Sequence, residues 1–190
     1  MGKTRSMLDD AARSFIEAQH IFFVASAPLD AAGHVNLSPK GLDTFRVLGP
    51  TTVAYIDFNG SGVETIAHLR ENGRIVLMFC AFQGPPNVFR LYGHGHVVEQ
   101  HEPEFAALAE NFPTSENARS IISVELTRVT DSCGYGVPLF QYEGEREQLG
   151  AWARKQGPEG LQAYRERKNA NSIDGLPGIS VQNVPQKGVV

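Results

Sequence analysis

Three polar side chains alternate along the segment Asn36-Leu37-Ser38-Pro39-Lys40-Gly41. In a β-strand successive side chains point to opposite faces, so Asn36, Ser38 and Lys40 would share one face. Two neutral hydrogen-bonding groups beside one cation suit a phosphorylated ligand with a polar ring, because charge-assisted hydrogen bonds to phosphate are strong. The solvated face of an edge strand explains the same pattern, and the segment alone does not decide between the two.

A glycine-rich turn, Gly60-Ser61-Gly62, separates a predicted strand ending at Asp57 from a predicted helix with Thr65 in its first turn. Free backbone N–H groups at a helix start bind phosphate well, which makes this turn a candidate anion site. Its spacing is not the G-x-G-x-x-G fingerprint of dinucleotide-binding folds. A tight strand-to-helix turn with Ser61 as the N-cap explains the same residues, so both interpretations stay open.

Histidines and one aromatic loop are the other candidates for chemistry. His94 and His96 would share a strand face that zinc could use, with His101 nearby. No carboxylate or third histidine has a suitable spacing, so we predict no metal site.

The segment Cys133-Gly134-Tyr135-Gly136-Val137-Pro138 presents Tyr135 on a bendable loop. Such a loop suits covering a flat ligand or a partner subunit, or it serves only as a linker.

The elements that must position these residues follow from the periodicity of the apolar residues. Helical spacing predicts helices at 7–19, 63–72, 102–111 and 145–168, the last interrupted near Gly157-Pro158. Patterns typical of strands occupy 21–26, 34–38, 44–48, 51–57, 75–82, 88–98 and 121–130, and Gly49-Pro50 predicts a hairpin. Turns this short cannot hold the crossovers of a parallel sheet, so we expect a mostly antiparallel sheet closed or nearly closed on itself.

Composition places the chain among ordinary globular proteins. Hydrophobic residues make up 42% of its 190 residues and the formal net charge is -4 without a block of like charges, which argues against nucleic acid as a partner. Cys80 and Cys133 form no CxxC pair and are expected to be reduced thiols. No apolar stretch approaches the roughly 20 residues that span a bilayer, and the N-terminus lacks a signal-peptide pattern. A soluble, cytoplasmic protein is expected.

The order of these motifs resembles the pyridoxamine 5′-phosphate oxidase-related family over roughly residues 8–132. The resemblance rests on 36–41, on Tyr55-Ile56-Asp57 before the Gly-Ser-Gly turn, and on the stretches 64–79 and 89–98. It implies an α+β, mostly β, split β-barrel, mostly antiparallel, with short peripheral helices and a C-terminal helix. Residues 1–132 would form the flavin-binding domain. Residues 133–190 would add a Gly/Pro loop, the C-terminal helix and an extended tail packed on the barrel or on a partner subunit.

The same resemblance implies a homodimer with two flavin mononucleotide (FMN) sites at its interface. It therefore implies an FMN-dependent oxidoreductase of a small molecule that the sequence does not name, in a subgroup distinct from the biosynthetic oxidase. A non-catalytic module that binds or stores flavin, deazaflavin or haem on the same barrel is the alternative, and an apo scaffold with a closed pocket is the third possibility. The apolar run 75–82 would be covered on both faces, by the barrel interior and by a helix or partner subunit. We expect a two-fold dimer burying more than about 1,600 Å².

The resemblance also implies site residues. Lys40 matches a lysine that helps hold the flavin in the oxidase, whereas Glu64 and Thr65 stand where the oxidase has an Arg-Lys pair that grips the phosphate. Losing those cations removes charge-assisted bonds of about 1.5–3 kcal/mol each. Phosphate binding would then rest on Lys40, Ser61, Thr65 and backbone amides, between Lys40 and the helix start at Val63, or the site would prefer another flavin-like ligand. No match to the oxidase's pyridoxal phosphate site is found, and no catalytic residue is predicted. The expected cofactor-binding residues are Asn36, Ser38, Lys40, Gly41, Tyr55, Asp57, Ser61, Gly62, Thr65 and Arg90.

Overall fold

A computed structural model describes residues 2–180 of the chain. Within this range the strands are β1 (Thr4–Arg5), β2 (Phe22–Ser26), β3 (Asn36–Lys40), β4 (Phe45–Val47), β5 (Thr52–Phe58), β6 (Arg74–Cys80), β7 (Val88–Glu99) and β8 (Ala118–Ser132). The helices are α1 (Asp10–Glu17), α2 (Glu64–Asn72), α3 (Glu104–Ala109) and α4 (Gln148–Lys168). None of these helices is both long and apolar enough to cross a bilayer.

One sheet contains all of these strands, in the order β3-β2-β6-β7-β8-β5-β4 with β1 beside β8. Every neighbouring pair is antiparallel. The two longest strands, β7 and β8, shift register between Tyr92 and Gly93, where a Cβ on Gly93 would lie 2.3 Å from the carbonyl oxygen of Glu125. Glycine permits this close approach and the curl that goes with it. The predicted mostly antiparallel split β-barrel with short helices is confirmed.

Two helices pack against the curled sheet. α1 begins after Asp9, whose Oδ1 accepts a hydrogen bond from the Ala12 N–H at 2.8 Å, and it buries Ala12 and Ile16. α2 contacts β2, β6 and β7 and ends at Gly73, which has a left-handed φ of 71°. The five consecutive residues 65–69 of α2 are all buried. Because a helix resting on a sheet buries only one stripe, α2 must be covered on its other side as well.

Two local turn predictions are confirmed. Gly49 and Pro50 connect β4 to β5 as a hairpin, in which the Leu48 N–H donates to the Thr52 carbonyl at 2.9 Å. α4 is interrupted at Gly157, where φ is 66° and ψ is 175°. Both turns depend on residues whose backbone preferences are visible in the sequence itself.

The predicted apolar run 75–82 contains β6 from Ile75 onward and the two residues after it. In the single chain one face of β6 is deeply buried, and cover over the other face stays a prediction. Ile75, Leu77 and Phe79 lie in the core, where Phe22 stacks on Phe79 with ring centroids 5.4 Å apart. Val76 and Met78 of β6 are half-buried in the single chain and point to the opposite face of the sheet. We call that opposite face the outer face.

The segment after α4 turns back over α2, and we call residues 169–180 the strap. Ile179 of the strap joins the hydrophobic core, and Arg70 of α2 donates to the backbone carbonyl of Gly178. The strap therefore covers the part of α2 that the sheet leaves open. Residues 181–190 of the predicted tail lie outside the described residues.

Candidate functional site

The β3 side chains lie as the alternation predicts. Asn36, Ser38 and Lys40 are half-buried, while the two residues between them are exposed. Ser38 Oγ donates to Asn36 Oδ1 at 3.2 Å, and Asn36 Nδ2 donates to Thr65 Oγ1 at 2.9 Å. A hydrogen-bonded row, which we call the β3 row, thus joins the edge strand to the first turn of α2.

Lys40 ends the β3 row in a buried ion cluster. Its Nζ donates to Asp57 Oδ1 at 2.6 Å, and Arg119 Nε donates to the other carboxylate oxygen at 2.8 Å. Arg119 Nη1 also donates to the Gly60 carbonyl at 3.2 Å, which ties the cluster to the turn before α2. Asp57 is 1% exposed and Arg119 is 6% exposed. Two cations around one carboxylate leave the cluster with one net positive charge.

The cluster controls the ionisation of Asp57. Burial would raise the pKa of this carboxyl group, but the charges and hydrogen bonds of Arg119 and Lys40 outweigh burial and lower the pKa from 3.8 to about 2. Because the folded pKa lies below the unfolded value, the cluster contributes its full stability above the unfolded pKa. This contribution is lost as the pH falls from about 4 to about 2, and it amounts to about 2 kcal/mol.

We expect this pH dependence to be measurable against an Asp57→Asn variant. The difference in the free energy of unfolding between wild type and variant should shrink by about 2 kcal/mol from about pH 6 to about pH 2, because only wild type takes up the Asp57 proton. Urea denaturation at stepped pH values gives both free energies, and the other carboxylates titrate equally in both proteins. A difference that stays constant over this range contradicts the lowered pKa.

Arg119 was missed by the sequence analysis. β8 begins with five consecutive buried residues, 118–122, and Arg119 is the charged one among them. A charged residue within a buried strand start needs a partner, which is the signal that could have drawn attention to it. Its partner Asp57 is 62 residues away in sequence, so no local spacing connects them.

The turn before α2 differs from the N-cap interpretation. Val63 occupies the N-cap of α2 without a side-chain hydrogen bond, and the last two residues of the turn 60–62 are exposed. The strap borders this helix start, because Asn169 Nδ2 donates to the Gly60 carbonyl at 2.9 Å and Gly178 packs on Val63. A Cβ on Gly178 would lie 2.9 Å from Val63 Cγ2. The turn where a phosphate was predicted thus has Ser61 and Gly62 exposed and the strap beside Val63.

Arg90 is not brought to the β3 row. The cross-strand register runs from Pro39 through Phe23 and Met78 to Arg90, and residues paired in this way share a face. Arg90 therefore lies on the outer face, where its guanidinium donates to Ser132 Oγ at 3.2 Å. Lys40, one residue beyond Pro39, points to the inner face.

Tyr55 and Gly41 lie beside Lys40. Tyr55 is fully buried, and burial raises the pKa of its phenol well above 10. Lys40 Nζ lies 5.9 Å from the centroid of the Tyr55 ring, within reach of a cation–π contact. Gly41 and Lys40 border a cavity of about 750 Å³. Lys40 thus has Asp57 as its ion partner and borders a cavity of ligand size.

The histidines are distributed without a metal cluster across residues 2–180, where no three His, Cys, Asp or Glu side chains are placed to hold an ion. His94 and His96 are exposed on β7. His68, which the sequence did not single out, is fully buried on α2 with Nδ1 2.9 Å from Ser26 Oγ. Burial lowers the pKa of this imidazole, so His68 is uncharged at neutral pH and serves packing.

Comparison with known proteins shows where this architecture belongs. The family model described as pyridoxamine 5′-phosphate oxidase matches residues 8–133. A pyridoxamine 5′-phosphate oxidase family protein of Aspergillus flavus is 40% identical over 189 residues, covering 90% of this chain and 76% of that protein. The chain belongs to the pyridoxamine 5′-phosphate oxidase family. The β3 row and the ion cluster lie within the part matched by the family, whereas α4 and the strap lie beyond it.

Solved structures agree with this family fold. HupZ of Group A Streptococcus superposes with a TM-score of 0.51 at 20% identity, covering 65% of this chain and 92% of HupZ. A protein of Lactobacillus delbrueckii described as a candidate pyridoxamine 5′-phosphate oxidase has a TM-score of 0.51 at 15% identity, covering 66% of this chain and 94% of its own. At these identities the likeness shows the split-barrel fold of the family.

Proposed function

We propose that this family member binds FMN between β3 and the turn before α2 and acts as a flavin-dependent oxidoreductase. The observation that carries the proposal is the β3 row, in which Asn36 and Ser38 lead to Lys40 and the ion cluster. The row offers neutral hydrogen-bonding groups along its length and one net positive charge at its end. The ribityl phosphate of FMN has the matching order, neutral hydroxyl groups followed by an anion.

The residues present fit a phosphate in spite of the missing Arg-Lys pair. An ammonium group has three donors, and one of those on Lys40 engages Asp57. Glu64, which stands in place of the arginine, is bonded to the strap, because its Oε1 accepts from the Ile173 N–H at 3.2 Å. Thr65 supplies a hydroxyl already held by Asn36. One carboxylate oxygen of Glu64 thus faces the strap while the other lies against Gly62 of the turn, and the positive charge for an anion is at Lys40.

Bound FMN would supply the redox chemistry through its ring system. The chain's own part is to bind the phosphate at Lys40, to hold the ribityl hydroxyls at Asn36 and Ser38, and to keep the ion cluster fixed by Arg119. Cys80 and Cys133 are unpaired thiols, which suits the cytoplasmic location we propose.

An absorbance spectrum and a reduction assay test the proposed function. Freshly purified protein is expected to show flavin bands and to release FMN on denaturation. Reduction of that flavin by NADPH or NADH, followed by turnover with an electron acceptor, separates an oxidoreductase from a storage module. A haem spectrum in place of a flavin spectrum, or a colourless protein that does not bind added FMN, would overturn the assignment.

We also propose that a second copy of the chain covers the outer face. Four apolar side chains form one row across β3, β2, β6 and β7, because the register pairs Leu37 with Ala25, Ala25 with Val76, and Val76 with Tyr92. Leu37 is 63% exposed in the single chain. A continuous apolar row on a sheet face is typical of a subunit interface.

A Leu37→Glu variant is expected to convert the dimer to a monomer, because it would bury an unpaired charge at the interface. Sedimentation equilibrium should give about twice 20.8 kDa for wild type and 20.8 kDa for the variant. Ile173→Glu is the matched control, since Ile173 is 69% exposed and belongs to the strap rather than to the apolar row. A monomeric wild type at micromolar concentration would contradict the dimer.

A further inference from the structure

An aromatic pair stands where three cavities meet. His20, just before β2, stacks on Tyr142 of the loop 133–147, with ring centroids 3.7 Å apart and planes at 6°. Cavities of about 580, 370 and 750 Å³ are each bordered by both rings. The cavity of about 750 Å³ is the one that includes Lys40. A ligand in the cavity of about 580 Å³ would therefore lie beside the cavity that Lys40 borders, with the His20–Tyr142 pair between the two.

The cavity of about 580 Å³ is lined by apolar and uncharged polar groups. Its apolar wall includes Ile21, Phe23, Phe82 and Phe140. Its polar side chains are three glutamines and the rings of His20 and Tyr142, and no Lys, Arg, Asp or Glu of the described chain lines it. A phosphate or carboxylate placed here would lose its hydration without gaining a cation, which costs several kcal/mol. An uncharged aromatic molecule would instead gain from burial against the rings.

The loop that forms this wall is held by its backbone and by one carboxylate. The Phe140 N–H donates to the Phe82 carbonyl at 2.9 Å, and the two rings lie 5.4 Å apart. Glu145 accepts from the Tyr142 hydroxyl at 3.0 Å and from the Leu42 N–H at 3.3 Å. Phe140 nevertheless remains 60% exposed. These bonds position the wall in advance, and its aromatic surface is open in the single chain.

We propose that this cavity binds an uncharged aromatic compound, with its rings against Phe82 and Phe140 and its polar group at the glutamine amides or Tyr142. That such a compound is the substrate of a flavin bound at Lys40 rests on the proposed function. That it binds in this cavity does not. The aromatic residues responsible are Phe140 and Tyr142 rather than Tyr135, which is 82% exposed and does not border the cavity.

Calorimetric titration of the full-length protein as purified tests the proposal with 2-naphthol and 2-naphthyl phosphate, which share one ring system and differ in charge. We expect saturable binding of 2-naphthol at one site per chain and at least tenfold weaker binding of the phosphate ester. Phe140→Ala should weaken 2-naphthol binding by about 5- to 30-fold through loss of ring contact. Tyr135→Ala, in the same loop, should leave it unchanged.

Equal binding of the two naphthyl compounds, or equal losses in Phe140→Ala and Tyr135→Ala, would overturn the proposal. Both side chains are largely exposed, so neither variant should change the fold, and far-ultraviolet circular dichroism verifies this for each protein. The readout is heat of binding rather than turnover. Failure of 2-naphthol to bind would therefore contradict this proposal without contradicting FMN binding. Failure of FMN binding would show separately in the spectrum of the purified protein.

Discussion

Asp57→Ala is expected to lower the free energy of unfolding by about 3–5 kcal/mol, the largest effect of any single change in the site. The variant leaves Arg119 with a buried positive charge and no carboxylate, in a position only 6% exposed. Lys40, 21% exposed at its side chain, can turn toward solvent and adds less. Urea denaturation of wild type and variant at neutral pH, under conditions where the oligomeric state is the same, measures the difference.

Two further variants separate the buried charge from a general loss of contacts. Asp57→Ala combined with Arg119→Met should recover part of the lost stability, because no unpaired buried charge remains. Glu17→Ala removes one partner of the exposed Arg13–Glu17 pair and should cost no more than about 0.5 kcal/mol. If the double variant is no more stable than Asp57→Ala, the cluster does not act through the charge of Arg119.

Lys40→Ala is expected to weaken FMN binding by about 10- to 150-fold, corresponding to the loss of one charge-assisted interaction of about 1.5–3 kcal/mol. The change removes the net positive charge of the ion cluster, since Arg119 and Asp57 then balance each other. Titration of FMN into the apo-protein, followed by the quenching of flavin fluorescence, gives the dissociation constant.

Riboflavin is the matched ligand for this experiment because it lacks the phosphate. Lys40→Ala should change riboflavin affinity far less than FMN affinity, and Lys155→Ala on the exposed surface of α4 should change neither. An equal loss of riboflavin and FMN affinity in Lys40→Ala would mean that Lys40 contacts the ring or supports the fold. The phosphate assignment would then be wrong.

Much of the fold could be predicted because its determinants are local. The hairpin at Gly49-Pro50, the length of β7 and the interruption of α4 at Gly157 follow from side-chain alternation and from residues with restricted backbone angles. The β3 row could be predicted for the same reason, since alternation alone puts Asn36, Ser38 and Lys40 on one face. The resemblance to the oxidase family then predicted that these elements form a split β-barrel.

The rest of the site could not be predicted from local pattern. Arg119 reaches Asp57 across 62 residues, and Arg90 is turned away from Lys40 by its register with Met78. The strap, which had the composition of a loose tail, packs on Val63 and supplies the backbone N–H that holds Glu64. Each of these depends on which strands pair and on which surface a distant segment covers.

The sequence by itself determined the elements of this protein, the polar face of β3 and the family to which it belongs, because periodicity and turn chemistry are written in neighbouring residues. Only the tertiary structure decided that Lys40 meets Asp57 and Arg119, and that Phe140 and Tyr142 rather than Tyr135 border the cavity beside it. The reason is physical. Burial makes an unpaired charge costly, and exposure to water makes an apolar ring unfavourable. Packing in three dimensions therefore selects their partners, wherever along the chain those partners lie.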